Sequence, residues 1–199
     1  MITSFLKAKH WQLFTLTTGI PIILYIGFMV TIFSQINENP DTANPFEIFN
    51  FFKWFPLIML FILFFHLGWI WSIGYGLQKY VPQNITLKIK RFKILFFIPV
   101  IYLLLINTFL FLTFTDFENN IPPFSPFIML FIIPLHLLSM FCLFHNLYFC
   151  AKTIKTIELK REVSFNDYIG EFFLMWFNFI GIWILQPRIN NIISQEKES

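Results

Sequence analysis

Charge is scarce in this chain. Charged residues fill 13% of its 199 positions, where soluble domains carry about 25%. With 57% of the residues apolar, no soluble core of this size could hide so many large side chains, and lipid must solvate most of them. Cysteine is scarcer still: Cys142 and Cys150 are the only two. Eight residues apart on one helix, they are separated by about 12 Å of rise, which excludes a disulfide between them. They read as reduced apolar fillers, with palmitoylation of Cys150 the alternative. The 7 glycines form no phosphate-binding loop. Gly-x-Ser-x-Gly, His-Glu-x-x-His and any Ser/His/Asp set in water-facing loops are also missing. No arginine is followed four to six residues later by histidine, which excludes the metal-independent ribonuclease motif. Cys142, His145 and Cys150 lack the fourth ligand that structural zinc requires. No catalytic residue, metal ligand or cofactor is assigned, and the chain reads as non-enzymatic.

What is present is phenylalanine, 30 residues of it, and a mean hydropathy of +0.68. Four runs reach the roughly 20 residues needed to cross a bilayer: Leu13 to Phe33, Pro56 to Tyr75, Ile94 to Phe114 and Phe127 to Phe149. The first is longer than a signal-peptide core and no small-x-small site follows it, so it is expected to remain as a span. Trp11, Trp54, Trp69, Trp71 and Tyr80 lie near run ends, as an interfacial aromatic belt predicts.

These runs are organised as a repeat. The twelve residues from Pro56 to Leu67 return as Pro126 to Leu137 with eight identities, and Leu6 to Trp11 resembles Leu87 to Phe92. Two copies of one helical hairpin are expected, at 1–76 and 77–151, followed by a cytoplasmic segment at 152–199. Lys7 and Lys9, the connection holding Lys79, Lys88, Lys90, Arg91 and Lys93, and the segment with Lys152, Lys155, Lys160 and Arg161 alternate with the acidic connections. The latter carry Glu38, Asp41 and Glu47, then Asp116 and Glu118. The positive-inside rule then places the N-terminus in the cytoplasm and the protein in the inner (cytoplasmic) membrane, with both hairpins pointing the same way. The expected fold is an all-α membrane protein: four transmembrane helices as two parallel repeated hairpins, plus a C-terminal amphipathic or re-entrant helix.

That last helix is the ambiguous element. Ile169 to Leu185 is an apolar run interrupted by Glu171 and Asn178, and Ser164, Asp167, Glu171, Asn178 and Gln186 fall near one helical stripe. An interfacial helix, a re-entrant hairpin around Gly181, or a fifth span all fit, and the first two are preferred because Asn178 and Glu171 are costly at depth. Gln186, Arg188 and Glu171 are expected to orient this helix against the bundle, and Asn190 to Ser199 to be a frayed polar tail.

Several side chains are candidates for function. His66 and His136 occupy equivalent repeat positions near the midplane; with Asn107 they form a candidate intramembrane polar site for proton or solute transport. Ligation of a b-type haem and simple interhelical packing are the other readings. Lys88, Lys90, Arg91 and Lys93 form a basic cluster suited to a cytoplasmic partner, RNA or anionic lipid, although positive-inside topology alone requires such a cluster. Glu171 and Arg188 complete the candidate cytoplasmic contact.

The block Arg161-Glu162-Val163-Ser164-Phe165, Asp167 to Phe173, Trp176-Phe177, Ile180-Gly181, Trp183 and Gln186 to Asn190 resembles one shared by small multi-pass proteins of low-GC bacteria. In size, span number and bacterial type the chain also resembles the membrane accessory proteins of type VI-B CRISPR loci. That resemblance implies a non-catalytic protein that represses an RNA-guided, RNA-cleaving effector ribonucleoprotein. The bilayer is the other expected partner, and association into a homo-oligomer stays open.

Overall fold

A computed structural model describes residues 2–38, 54–118 and 126–198, and all regular structure among them is helical. Two short helices, α1 (Ile2–Lys7) and α2 (His10–Phe14), lead through a π-helical turn at Thr15–Gly19 into α3 (Ile20–Glu38). Helix α4 (Phe55–Trp71) continues as a π turn, Ser72–Gly76, and a 3-10 turn, Leu77–Tyr80. Helix α5 (Ile89–Glu118) is followed by α6 (Met129–Leu159), α7 (Phe165–Trp176) and α8 (Asn178–Glu198). Four segments, His10–Ser34, Phe55–Tyr80, Ile89–Thr113 and Met129–Leu159, are long and apolar enough to cross a membrane. The chain is an all-α, multi-pass membrane protein. Of the acids used to orient the hairpins, Glu38 ends α3 and Asp116 and Glu118 lie in the last turn of α5, whereas Asp41 and Glu47, with the rest of the connections at 39–53 and 119–125, lie outside the described residues.

The core is confined to the lysine-bearing end of the bundle. There Leu13, Trp69, Ile70, Ile73, Leu77, Phe92, Cys150, Ile154, Met175, Ile182, Leu185 and Ile189 pack into one cluster drawn from all three segments of the sequence. Away from it the helices face outward: only 6% of the first span is buried, and Ile23, Leu104, Phe127 and Phe131 are open to their surroundings. In water such a surface would aggregate; in a bilayer it is the expected lipid-facing exterior.

Local chemistry explains how the buried end closes. Pro99 has no N–H, which leaves the carbonyl of Leu95, four residues earlier, without its helical donor. Asn146 of α6 donates to that carbonyl at 3.2 Å, so the proline in α5 is answered by an amide in α6. Beside it, Cys150 Sγ donates to the Ile70 carbonyl at 3.3 Å, ahead of the π turn of α4. Glycine supplies close approach: a Cβ at Gly68 would stand 2.7 Å from Phe5 Cζ, and one at Gly76 2.6 Å from Ile2 Cγ2. These two positions let α1 lie directly on α4.

The C-terminal segment is a helical hairpin. Phe177 leaves helical geometry (φ −84°, ψ 63°) and separates α7 from α8. The turn is therefore at Phe177, and Gly181 has a different role from the expected one. A Cβ on Gly181 would overlap the Leu174 carbonyl oxygen, so only glycine allows the two helices to touch. Helix α7 runs antiparallel to the end of α6: Tyr148 packs on Phe165 and Tyr168, and Phe144 packs on Phe172 and Trp176. Fifteen residues of α6 separate Phe144 from Leu159, so the hairpin tip lies about 22 Å inward from the end of α6. A segment that enters from one end and returns to it has the geometry of a re-entrant hairpin, and its tip exposes Trp176, Phe177 and Phe179. Asn190 to Glu198 is not frayed coil: α8 continues through it, with Ile189 and Ile193 in the core.

Candidate functional site at the lysine-bearing end

Gln186 sits at the centre of this end, fully buried. Its Oε1 accepts the indole N–H of Trp69 at 2.8 Å. Its Nε2 donates toward the carbonyls of Phe5 (3.1 Å), Leu6 (3.2 Å) and Ala8 (2.9 Å). The last carbonyls of a helix have no partner within it; here one amide of α8 caps the C-terminal end of α1. Asn190, one turn further along α8, adds a second donor to Ala8 O at 3.2 Å. Trp69 thus belongs to the core and not to an interfacial belt, whereas Trp11 and Trp54 are half exposed at run ends.

A charge network then ties α6, α7 and α8 together. Arg188 donates to Glu158 through Nε (2.7 Å) and one terminal nitrogen (2.6 Å), and to Glu171 Oε1 (2.7 Å). Lys155 donates to Glu171 at 3.0 Å and lies 4.0 Å from Glu158. Two cations and two carboxylates sit together in a mostly desolvated place, which makes the bidentate geometry matter. Burial alone would raise the Glu171 carboxyl, but the hydrogen bonds from Arg188 and Lys155 outweigh it and hold it below the ordinary range. The Glu158 contact in turn raises the Arg188 guanidinium further.

At the start of α7, Asp167 and Ser164 form a capping box. Arg161 at 2.9 Å, then the Ser164 backbone, lower the Asp167 carboxyl to about 2. Glu171 and Arg188, read from sequence both as orienting the helix and as part of a cytoplasmic contact, are engaged with each other, Lys155 and Glu158. Glu158, Lys155, Trp69 and the Asp167 cap were not singled out for these roles. The i, i+3 spacing of Lys155 and Glu158 was the available signal.

The basic cluster opens α5. Lys88, Lys90 and Arg91 are exposed, and no ion pair joins them to an acid among the described residues. Lys93 is half-buried, its Nζ 4.4 Å from the centre of the Tyr75 ring. Next to the charge network, Lys79, Tyr80, Lys160, Arg188 and Gln195 help line a cavity of about 650 Å³.

The midplane candidates have separate neighbours. His66 lies beside the carboxamide of Asn178 at the hairpin tip, whose Oδ1 has no hydrogen-bond partner among the described residues. His136 Nδ1 pairs with the Tyr102 hydroxyl at 2.8 Å. Asn107 is buried, donates back to Leu103 O at 2.7 Å and leaves its Oδ1 unpartnered. Among the described residues no group of three or more metal-ligating side chains converges.

No protein-family model matches the chain, and neither the curated proteins nor the solved structures contain a significant match to it. What the fold defines is its class: a helical multi-pass membrane protein with a packed, charged end and a lipid-exposed remainder.

Proposed function

We propose that the chain is a non-catalytic regulatory protein of the inner membrane, with its lysine-bearing end in the cytoplasm as a docking surface. The observation that carries this reading is an asymmetry among the cations. Lys155, Arg161 and Arg188 are neutralised by Glu158, Glu171 and Asp167, whereas Lys88, Lys90 and Arg91, at the start of α5, have no such partner among the described residues. Cations at a helix N-terminus oppose its dipole, at roughly 0.3–1 kcal/mol each. Such a cost is offset by topogenic retention on the cytoplasmic side and by an anionic partner there. The ion-paired hairpin behind the cluster supports the reading by giving the docking face a rigid base.

The particular partner follows from the resemblance to type VI-B accessory proteins: an RNA-guided, RNA-cleaving effector ribonucleoprotein, which this protein restrains. The test is RNA-targeting interference in a bacterial host, with effector and guide alone or with this protein added. The expected result is a clear drop in interference, restored when Lys88, Lys90, Arg91 and Lys93 are changed together to glutamine. Unchanged interference at matched membrane expression removes this partner.

A further inference from the structure

One cavity lies away from that docking face. Between α4 and α5 runs an apolar groove of about 630 Å³, walled by Leu60, Leu63, Phe64 and Trp71 on one side and Phe97, Val100 and Leu104 on the other. Its lining is almost wholly hydrocarbon, and it opens outward along the part of the bundle that the bilayer covers. Grooves of this kind are ordinarily filled by whatever lipid is nearby. This one differs at its lysine-bearing end.

The groove's own helical stripe ends in a cation. On α5, Lys93, Phe96, Phe97, Val100, Leu103 and Leu104 are spaced i, i+3, i+4, i+7, i+10 and i+11, which is one face of a helix. Lys88 and Arg91 fall on the opposite side, while Lys90 stands one turn before Lys93 at the edge of the groove. On α4, Trp71 stacks on Tyr75 with ring centres 5.3 Å apart. Tyr75 in turn holds the Lys93 ammonium 4.4 Å above its ring. An aromatic bracket thus steadies, one helical turn beyond the Trp71–Phe97 end of the apolar slot, a cation that has no ion pair among the described residues. Lys93 to Leu104 covers about 16 Å of helix, and one leaflet of a hydrocarbon core is about 15 Å deep. One acyl chain fits that length.

We propose that the α4–α5 groove retains an anionic phospholipid, with an acyl chain along Leu63, Val100 and Leu104 and its phosphate at Lys93 and Lys90. Charge complementarity selects the occupant. A zwitterionic lipid brings its own ammonium to the same mouth, whereas phosphatidylglycerol brings net negative charge. The site requires the lysine-bearing end to lie at a bilayer surface, but it needs no protein partner.

The test is native mass spectrometry of the detergent-purified protein after exchange into phosphatidylglycerol or phosphatidylcholine micelles, with thermal stability read in parallel. The wild type is expected to retain one phosphatidylglycerol in preference to phosphatidylcholine and to be stabilised by it. Each of Lys93→Gln and Lys90→Gln should reduce that preference about fivefold. Val100→Trp, which fills the slot and leaves both lysines, should abolish retention of either lipid. Equal retention of the two lipids by the wild type, or Lys88→Gln acting as strongly as Lys93→Gln, would overturn the proposal. A dimer whose formation excludes lipid and is blocked by Val100→Trp would assign the groove to a second copy instead. Because no effector is present, failure here and failure of the regulatory reading are separate results.

Discussion

Replacing Gln186 by leucine should loosen the whole lysine-bearing end while hardly changing side-chain volume. Of the groups that Gln186 serves, Ala8 O keeps Asn190 as a donor and Phe5 O keeps the Ala8 N–H at 3.3 Å. Asn190 Oδ1 also loses its donor but belongs to a part-buried residue; two buried groups are orphaned: the Trp69 indole N–H, in a residue with no exposed surface, and the Leu6 carbonyl. A buried polar group left without a partner costs roughly 1–3 kcal/mol, so the pair should cost about 3 kcal/mol. For a chain of this size that corresponds to roughly 10 °C in unfolding midpoint. The assay is unfolding of the detergent-solubilised protein alongside maleimide labelling of Cys150, a fully buried thiol that reports opening of the same core. Reagent reaches such a thiol only when the core opens, so labelling is slow in the intact protein. Trp69→Phe combined with Gln186→Leu removes the orphaned donor, and the double variant should be less damaged than the sum of the singles by about 1–2 kcal/mol. A Gln186→Leu protein within 0.5 kcal/mol of wild type (roughly the ordinary surface range), or strictly additive singles, would refute the capping account.

Gly181→Ala places a methyl group against a backbone oxygen, and overpacking of that kind costs about 1–3 kcal/mol or more. Pulse proteolysis should find the α7–α8 hairpin cleaved faster, whereas Gly170→Ala, with nothing within 4 Å of its added Cβ, should gain about 0.5–1 kcal/mol from helix propensity. Arg188→Met strands Glu158 and Glu171 with only Lys155 between them. Breaking a fully buried pair costs about 3–5 kcal/mol; with Arg188 and Glu158 partly exposed, about 2 kcal/mol is expected by chemical denaturation, most of it recovered by adding Glu158→Gln. Acid should act on the same segment. Asp167, held to about 2, and Glu171, also depressed, contribute stability that is complete above the ordinary carboxylate range near pH 4 and is lost as pH falls toward 2. Hydrogen exchange in α7 should rise over that interval in the wild type and change less in Asp167→Asn. An α7 equally protected at pH 5 and pH 2.5 would contradict this sign.

The helices were legible in the sequence because their signal is summed over 20 or more positions. Each of the four expected spans lies on a helix long enough to cross; most ends differ by five residues or fewer, but the fourth helix runs ten residues past Phe149, to Leu159, through a turn that mixes lysines with apolar residues. The orienting role of Gln186, Arg188 and Glu171 was also readable, since isolated polar residues on one stripe of an apolar helix must find partners inside the fold. The break at Phe177 was not readable. Phenylalanine carries no turn signal, and the constraint comes from the contact of Gly181 with Leu174, which exists only once the hairpin has formed. Trp69 was misplaced for a related reason. Tryptophan at a run end suits both an interface and a core, and the choice was made by Gln186, more than a hundred positions away. The separate engagements of His66 and His136 depend on Tyr102 and Asn178, which the repeat does not duplicate.

The contact between Gln186 and Phe5 joins residues 181 positions apart, and this has a consequence for the order in which the protein comes into being. Chains emerge from the ribosome at about 5–20 residues per second, so α1 waits roughly 10–40 seconds for the side chain that caps it. During that interval the four long helices can enter the bilayer, since each satisfies its backbone internally. The glycine-bracketed seat for α1 cannot close around its final amide. Assembly therefore divides into an early phase of insertion, helix by helix, and a late phase in which the returning arm of the hairpin clasps the first helix. Chains caught between the two phases would be fully membrane-inserted and still unfinished.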